Sequence, residues 1–382
     1  MPYFHIDTQP FQASKRAGEP CGDAFLVKRG IYHTTIILAD GIGSGIKAHI
    51  ASQMNISRLA QLLEGGSTLR EAFFNVVGTM SKWRDHSMPF AAFLVMRILN
   101  DGTATILNYE MPPSVLLNVH EAAVIPGHPL VVPAGVASES HFHLHAGEGV
   151  FLMSDGIVQA GLGKSLASGW GVAGVEDLLS SFTGQNIDYK KAGEDVFQQA
   201  LHYDGAVSGD DKTLLIAHGR KGLVVDVLTG PPKDKADDSA AVDAFLAGEG
   251  CRVVCGSTTA DVVARHAGVN LEVEQRPASY STPPRYFMQG LDLVTEGVIT
   301  LTQTYNLIEE ADVLSKDRSP AADLAVILQS ADFIRFTVGC ASNPANADIV
   351  YRKQGILPRD KIVPLLAAKL ERMGKLVDVR FV

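Results

Sequence analysis

Aspartates stand beside glycine at several points in the chain. Asp23 follows Gly22 in "EPCGD", Asp40 precedes Gly41 in "LADG", Asp155 precedes Gly156 in "MSDG", and Asp210 and Asp211 follow Gly209 in "GDDK". One such residue is a turn former. Several brought to one end of a fold would share a small volume in which like charges oppose joint ionisation. A hard divalent cation relieves that repulsion, and oxygen-only ligands at a solvent-facing edge suit Mg²⁺ or Mn²⁺.

Strands must end where these carboxylates stand. The segments "DAFLVK", "HTTIILA", "FAAFLVMRI", "TATILNY", "SVLLNV", "GVFLMS" and "KTLLIA" read as strands and fill the first 217 residues. After the second comes a helix on which Ile46, Ile50, Met54, Leu59 and Leu63 recur at helical spacing, then a second helix with Ser67 as N-cap. Two more helices are expected between Gly169 and Tyr203. Glycines 41, 43 and 45 mimic a dinucleotide fingerprint. That fold needs a second parallel strand soon after the first helix, whereas here another helix follows. The glycines are better read as a turn that leaves the backbone open around Asp40.

With 382 residues, 46% of them hydrophobic, the chain can fill two domains. A net charge of −9 argues against a nucleic-acid interface, which needs a basic surface. No apolar run approaches the roughly 20 residues of a membrane span and no leader opens the chain, so the expectation is a cytoplasmic protein with no membrane partner. The four cysteines fit no zinc spacing and are too few for a disulfide scaffold. Cys21 lacks the His or Arg partner a nucleophile would need.

In this order and at these separations, "GD" (22–23), "ADGIGSGIKA" (39–48), "SDG" (154–156) and "GDDKTLL" (209–215) resemble the metal-dependent protein phosphatases of type 2C. Within them the likeness is to the bacterial branch typified by the stage II sporulation phosphatase E, to which "TILNYEMPPSVLL" is also similar. The resemblance covers about residues 5 to 218 and implies an α+β fold, an αββα sandwich with two Mn²⁺ or Mg²⁺ ions at one end. It implies that Asp40 bridges both metals, the Gly41 carbonyl binds one, Asp155 and Asp210 hold the other, Asp23 completes the site, and Asp211 stands behind the ligands. The implied reaction is in-line attack of a metal-activated water on a phosphoserine or phosphothreonine, with no covalent enzyme intermediate. The implied substrate is a phosphoprotein of a partner-switching pathway, such as an anti-sigma-factor antagonist. Ile42 stands where many eukaryotic relatives have histidine. Gly18 stands where a phosphate-anchoring arginine is expected, with Lys15 and Arg16 as nearby substitutes. The implied control is through the helices of about 46 to 83, and a homodimer is compatible with the sequence.

"HFHLH" places His141, His143 and His145 on one face of a strand, a pattern that could ligate zinc or nickel. With Phe142 and Leu144 inward, the simpler reading is the solvent face of a sheet.

The texture changes after residue 220, so the expected domains are 1–220, the phosphatase, and 222–382, a smaller α/β domain for regulation or partner docking. In the latter, "CGSTTA" puts Ser257, Thr258 and Thr259 at a helix start, either as a helix cap or as an anion site. The loop "VGCASNPAN" (338–346) could face it. Two other functions remain open: a non-catalytic signalling scaffold, and a phosphatase of a small phosphorylated metabolite.

Overall fold

A strand with no polar alternation must be covered on both faces, and β3 (His33–Gly41) is such a strand. In the computed structural model, which describes residues 3–43, 45–85, 90–205, 208–275, 283–310, 314, 316–341 and 355–382, its Ile36 and Leu38 enter one apolar cluster and Ile37 and Ala39 another. β10 (Gly149–Met153) divides likewise, Val150 and Leu152 to one side, Phe151 and Met153 to the other. The chain separates into two units, Tyr3–Lys221 and Gly222–Val382.

In the first unit β3 belongs to a six-stranded antiparallel sheet ordered β2 (Asp23–Arg29), β3, β4 (Ala91–Leu99), β5 (Thr103–Tyr109), β9 (Ala137–His143), β8 (His128–Leu130). β10 lies in a five-stranded sheet ordered β1 (Phe4–Ala13), β11 (Lys212–Lys221), β10, β6 (Val115–Leu117), β7 (Ala122–Val124). Ile6, Ile36, Leu94, Val150 and Leu215 fill the space between the sheets. The outer face of the larger sheet carries α1 (Ile46–Glu64) and α2 (Leu69–Asp85), and that of the smaller carries α3 (Asp155–Val158), α4 (Gly171–Ser180) and α5 (Tyr189–Asp204). This is the expected αββα sandwich. Each fully buried Leu, Ile, Val or Phe contributes about 1.5–3 kcal/mol, so the layers outweigh the exposed ion pairs.

Three local features differ from the sequence reading. β1 is an added strand. Pro10 weakens its signal, but β1 pairs only with β11, and an edge strand tolerates a missing donor. The N-terminal signal of α2 is a capping box at Thr68 rather than Ser67: Glu71 accepts from the Thr68 amide at 2.8 Å, and the Thr68 hydroxyl accepts from the Glu71 amide at 3.2 Å. On α1 the apolar residues Ile46, Ile50 and Met54 are exposed, while Ala48, Ala51, Ser52 and Asn55 are buried with Ile56 and Leu59. The cause is a close approach. A Cβ on Gly41 would collide with the Ala48 carbonyl, so the first turns of α1 lie against the end of β3 and leave room only for small side chains.

The second unit is built on a seven-stranded sheet ordered β14 (Leu271–Val273), β15 (Tyr286–Met288), β16 (Leu293–Thr295), β13 (Cys251–Cys255), β12 (Val224–Thr229), β17 (Phe333–Val338), β18 (Leu376–Phe381). From β16 to β18 every pair is parallel. α6 (Asp238–Leu246) and α7 (Ser257–Ala267) pack on Leu228, Val254 and Val294. On the other face, α8 (Val298–Leu307), α9 (Pro320–Ser330) and α10 (Arg359–Arg372) pack on Val227, Val253 and Phe336. The unit is thus α/β and doubly wound. Among the described residues, no helix is long and apolar enough to cross a membrane.

Candidate metal centre

Antiparallel pairing of β2 and β3 sets Asp23 directly opposite Asp40. Pairing of β10 with β11 sets Met153 opposite Leu214, and the Ser154 hydroxyl accepts from the Thr213 amide at 2.9 Å, which brings Asp155 beside the start of β11. The two sheets are tied at this end by Gln12, whose Nε2 donates to the Thr213 hydroxyl at 3.0 Å and to the Asp23 carbonyl at 3.3 Å.

The glycines beside these aspartates are demanded by contact. A side chain at Gly22 would meet the Asp211 carboxylate, and one at Gly156 would collide with the Asp211 carbonyl, as one at Gly41 would with α1. The two Asp-Gly pairs are therefore places where backbone segments touch, while Gly22 makes room for side chains.

The electrostatics record the crowding. Burial, then the carboxylates of Asp23, Asp155 and Asp210, push Asp40 well above the usual range. Burial pushes Asp23 up to about 6, with Asp211 and Asp155 adding to it. Asp155 is raised by burial and by Asp210, and eased by Asp40 and Lys15. Asp23 is 2% exposed. The Ser154 and Thr213 hydroxyls lie near enough to favour its charge, yet neither carboxylate oxygen receives a hydrogen bond of normal geometry. Asp211 is buried and accepts from the Lys15 amide at 2.7 Å, whereas Asp210 is partly exposed and faces the Lys15 ammonium at 3.5 Å. The structure thus gathers Asp23, Asp40, Asp155, Asp210 and Asp211 at one end of the sandwich. Among the described residues no group of three or more His, Cys, Asp or Glu side chains is already arranged to hold a metal ion. The donor set nonetheless fits hard cations, because it is all oxygen, carries surplus negative charge, and includes a buried carboxylate with both oxygens unsatisfied.

Sequence reasoning missed one buried group beside this cluster. The Lys212 ammonium, fully buried, pairs with Asp204 and also donates to the Ser208 hydroxyl at 2.9 Å and the Asp210 carbonyl at 3.2 Å. Asp204 in turn accepts from the amides of Gly161 at 2.8 Å and Gly209 at 2.7 Å. The lysine in "GDDK" was the available signal.

Other candidates fall elsewhere. Cys21 has its thiol pushed up to about 12 by burial and by Asp23, so it is no thiolate nucleophile. Arg16 pairs with Glu19 on the surface, whereas Lys15 turns to the carboxylates. His141, His143 and His145 are exposed while Phe142 and Leu144 enter the inter-sheet cluster, as on a solvent-facing strand. In the second unit Ser257 and Thr258 are exposed at the start of α7, Thr259 is buried and accepts from the Gly230 amide at 2.9 Å, and no side chain caps the helix. Of the segment 338–346, residues 342–346 lie outside the described residues.

Comparison with known proteins matches residues 32–220 to the family model of stage II sporulation protein E. The stage II sporulation protein E of Bacillus subtilis is 24% identical over 162 residues, which is 41% of this chain and 19% of that protein. The chain therefore spans about a fifth of the length of that relative. Among solved structures, the PP2C phosphatase domain with a fragment of the regulatory domain of SpoIIE from Bacillus subtilis is 19% identical at a TM-score of 0.49, covering 58% of this chain and 64% of that one. The RsbU and RsbW domains of Rv1364c from Mycobacterium tuberculosis are also 19% identical, at 0.48, covering 64% and 67%. Residues 32–220, most of the first unit, thus match the stage II sporulation protein E family model, on a sandwich whose aspartate-ended strands meet at one edge.

Proposed function

We propose that the first unit is a metal-dependent phosphatase of phosphoserine or phosphothreonine in a protein substrate. The observation that carries this reading is the under-neutralised carboxylate cluster, in which Asp23 keeps two buried oxygens without partners opposite Asp40. Asp40, the Gly41 carbonyl, Asp155, Asp210 and Asp23 would hold two divalent cations, Mn²⁺ or Mg²⁺. Bound there, they would supply Lewis-acid activation of a water and neutralise charge on the phosphoryl oxygens.

The chain's own residues do the rest. Lys15, with its ammonium one-third exposed beside Asp210, is placed to receive a phosphate from solvent in the role that Gly18 cannot fill. Asp211 holds the Lys15 backbone, and Lys212 with Asp204 fixes the loop that carries Asp210. With the Cys21 thiol protonated, nothing here favours a covalent route. The resemblance of "ADGIGSGIKA", "SDG" and "GDDKTLL" to sporulation-type phosphatases implies, as substrate, a phosphoprotein of a bacterial partner-switching pathway, of the anti-sigma-factor-antagonist kind. Phosphate release from a phosphoserine protein of that kind, compared with release from an aryl phosphate under Mn²⁺ or Mg²⁺, tests this reading. Release from both supports it. Release from small phosphate esters alone would shift the reading to a metabolite phosphatase, and release from neither, with every metal, to a signalling scaffold.

A further inference from the structure

In the second unit the strand order reverses between β12 and β17: β13 and β16 lie to one side of β12, and β17 and β18 to the other. In an open parallel sheet, the crevice beyond the carboxyl ends of the strands at such a reversal is where ligands bind. Here each of the four strand ends around the reversal is followed at once, or after one residue, by a glycine: Gly230 after β12, Gly256 after β13, Gly297 after β16 and Gly339 after β17. Gly297 packs on Gly256, where a Cβ would lie 3.5 Å from the neighbouring Cα.

Arg359 straddles the reversal. Its Nε donates to the Thr229 hydroxyl on β12 and its Nη1 to the Gly339 carbonyl beyond β17, both at 3.2 Å. Gly230 lies so close that a Cβ there would collide with the guanidinium. Among the described residues no carboxylate comes within ion-pair distance of this half-buried cation, and Nη2 makes no hydrogen bond. Burial lowers its pKa, with Cys255, Cys340 and Glu296 as the negative or titratable groups near enough to oppose that.

Two further hydroxyls point the same way. In register, Thr229, Cys255 and Thr295 stand side by side on β12, β13 and β16, on the face that α8 and α10 cover. Thr295 and, in the first turn of α8, Thr300 are fully buried with hydroxyl oxygens that have no hydrogen-bond partner. The start of α7 has no side-chain cap, so its amides remain available. Glu296 faces the same edge, accepting from the Ile299 amide at 3.3 Å, and burial raises its pKa.

We infer that this crevice is a binding site for the phosphoryl group of a small phosphorylated metabolite, held by Arg359 with the amides at the start of α7. Thr295 and Thr300 supply buried hydroxyls, and Glu296 accepts from a hydroxyl of the ligand. "GPP" (230–232) follows β12 in place of a glycine-rich dinucleotide fingerprint, so the site takes a compact phosphate ester rather than a dinucleotide. Thr259 is spent on Gly230 and acts as a brace.

The test is calorimetric titration of the 382-residue chain, with chelator present, using inorganic phosphate, glycerol 3-phosphate and NADH as probes. The expected result is binding of phosphate, tighter binding of the ester, at least tenfold weaker binding to Arg359→Ala, a smaller loss in Arg359→Lys, and no change in Asp40→Asn. Should Arg359→Ala fail to fold by circular dichroism, Arg359→Lys carries the comparison. Phosphate binding that survives both arginine variants, binding that disappears in Asp40→Asn, or no binding of any probe at millimolar concentration would overturn the site. Preference for NADH over the ester would overturn the ligand class.

Discussion

Asp23 and Asp40 face each other across the β2–β3 register, and Asp23 presents two buried oxygens with no hydrogen-bond partner. A structural pair would not be built this way, because joint ionisation of neighbouring buried carboxylates costs free energy that folding must offset.

Asp23→Asn should therefore stabilise the metal-free protein at pH 7 while weakening its stabilisation by added metal. The folded pKa of Asp23, about 6, lies above its unfolded value, so its ionisation opposes folding above pH 6 and that penalty is relieved as pH falls. The shift corresponds to roughly 1–3 kcal/mol. His33 and His218, whose pKa values burial lowers, act in the opposite sense, so the variant must be compared with wild type at each pH. In chelator, the advantage of Asp23→Asn in urea unfolding should be clear at pH 7, roughly halved at pH 5 and mostly gone near pH 4, close to the unfolded pKa. An advantage independent of pH would contradict this.

Lys212→Met should cost about 3–5 kcal/mol, because it strands the Asp204 charge, and the double variant Lys212→Met, Asp204→Leu should recover part of the loss. Asp204 is held below its usual pKa by the Gly161 and Gly209 amides and by Lys212 against the pull of burial. Its stabilisation is present above the ordinary aspartate range and is lost as pH falls through its folded value. Denaturant unfolding of the single and double variants measures the coupling, and additive losses would show that the pair is not a unit.

Asn55 is on the buried face of α1, with both side-chain amide atoms buried and unpartnered. Asn55→Leu should raise stability by roughly 1–2 kcal/mol, since an apolar group of similar size removes an unsatisfied donor and acceptor. A fall in melting temperature would show that the amide has a partner in solution.

The aspartates were legible because each is local, an apolar run beginning or ending beside glycine, and the strand ends that carry them meet once two antiparallel sheets stack. The inner face of α1 was not, because hydrophobic periodicity selects Ile46, Ile50 and Met54, whereas contact with the Gly41 turn selects small residues. Pro10 hid β1, since edge placement is a property of the sheet rather than of the segment. Arg359 was invisible as a partner of Thr229, 130 positions away, until the parallel strand order brought α10 to the end of β12.

The carboxylate end of the sandwich should bind divalent cations and use them in phosphate release. The most direct test is Mn²⁺ titration of wild type and Asp40→Asn, by calorimetry and by turnover of an aryl phosphate in parallel. Saturable Mn²⁺ binding and metal-dependent turnover are expected in wild type, with Asp40→Asn still folded by circular dichroism, at least tenfold weaker in metal affinity and at least 100-fold slower, on the order of 3 kcal/mol of barrier. Wild-type affinity and turnover in folded Asp40→Asn would contradict it.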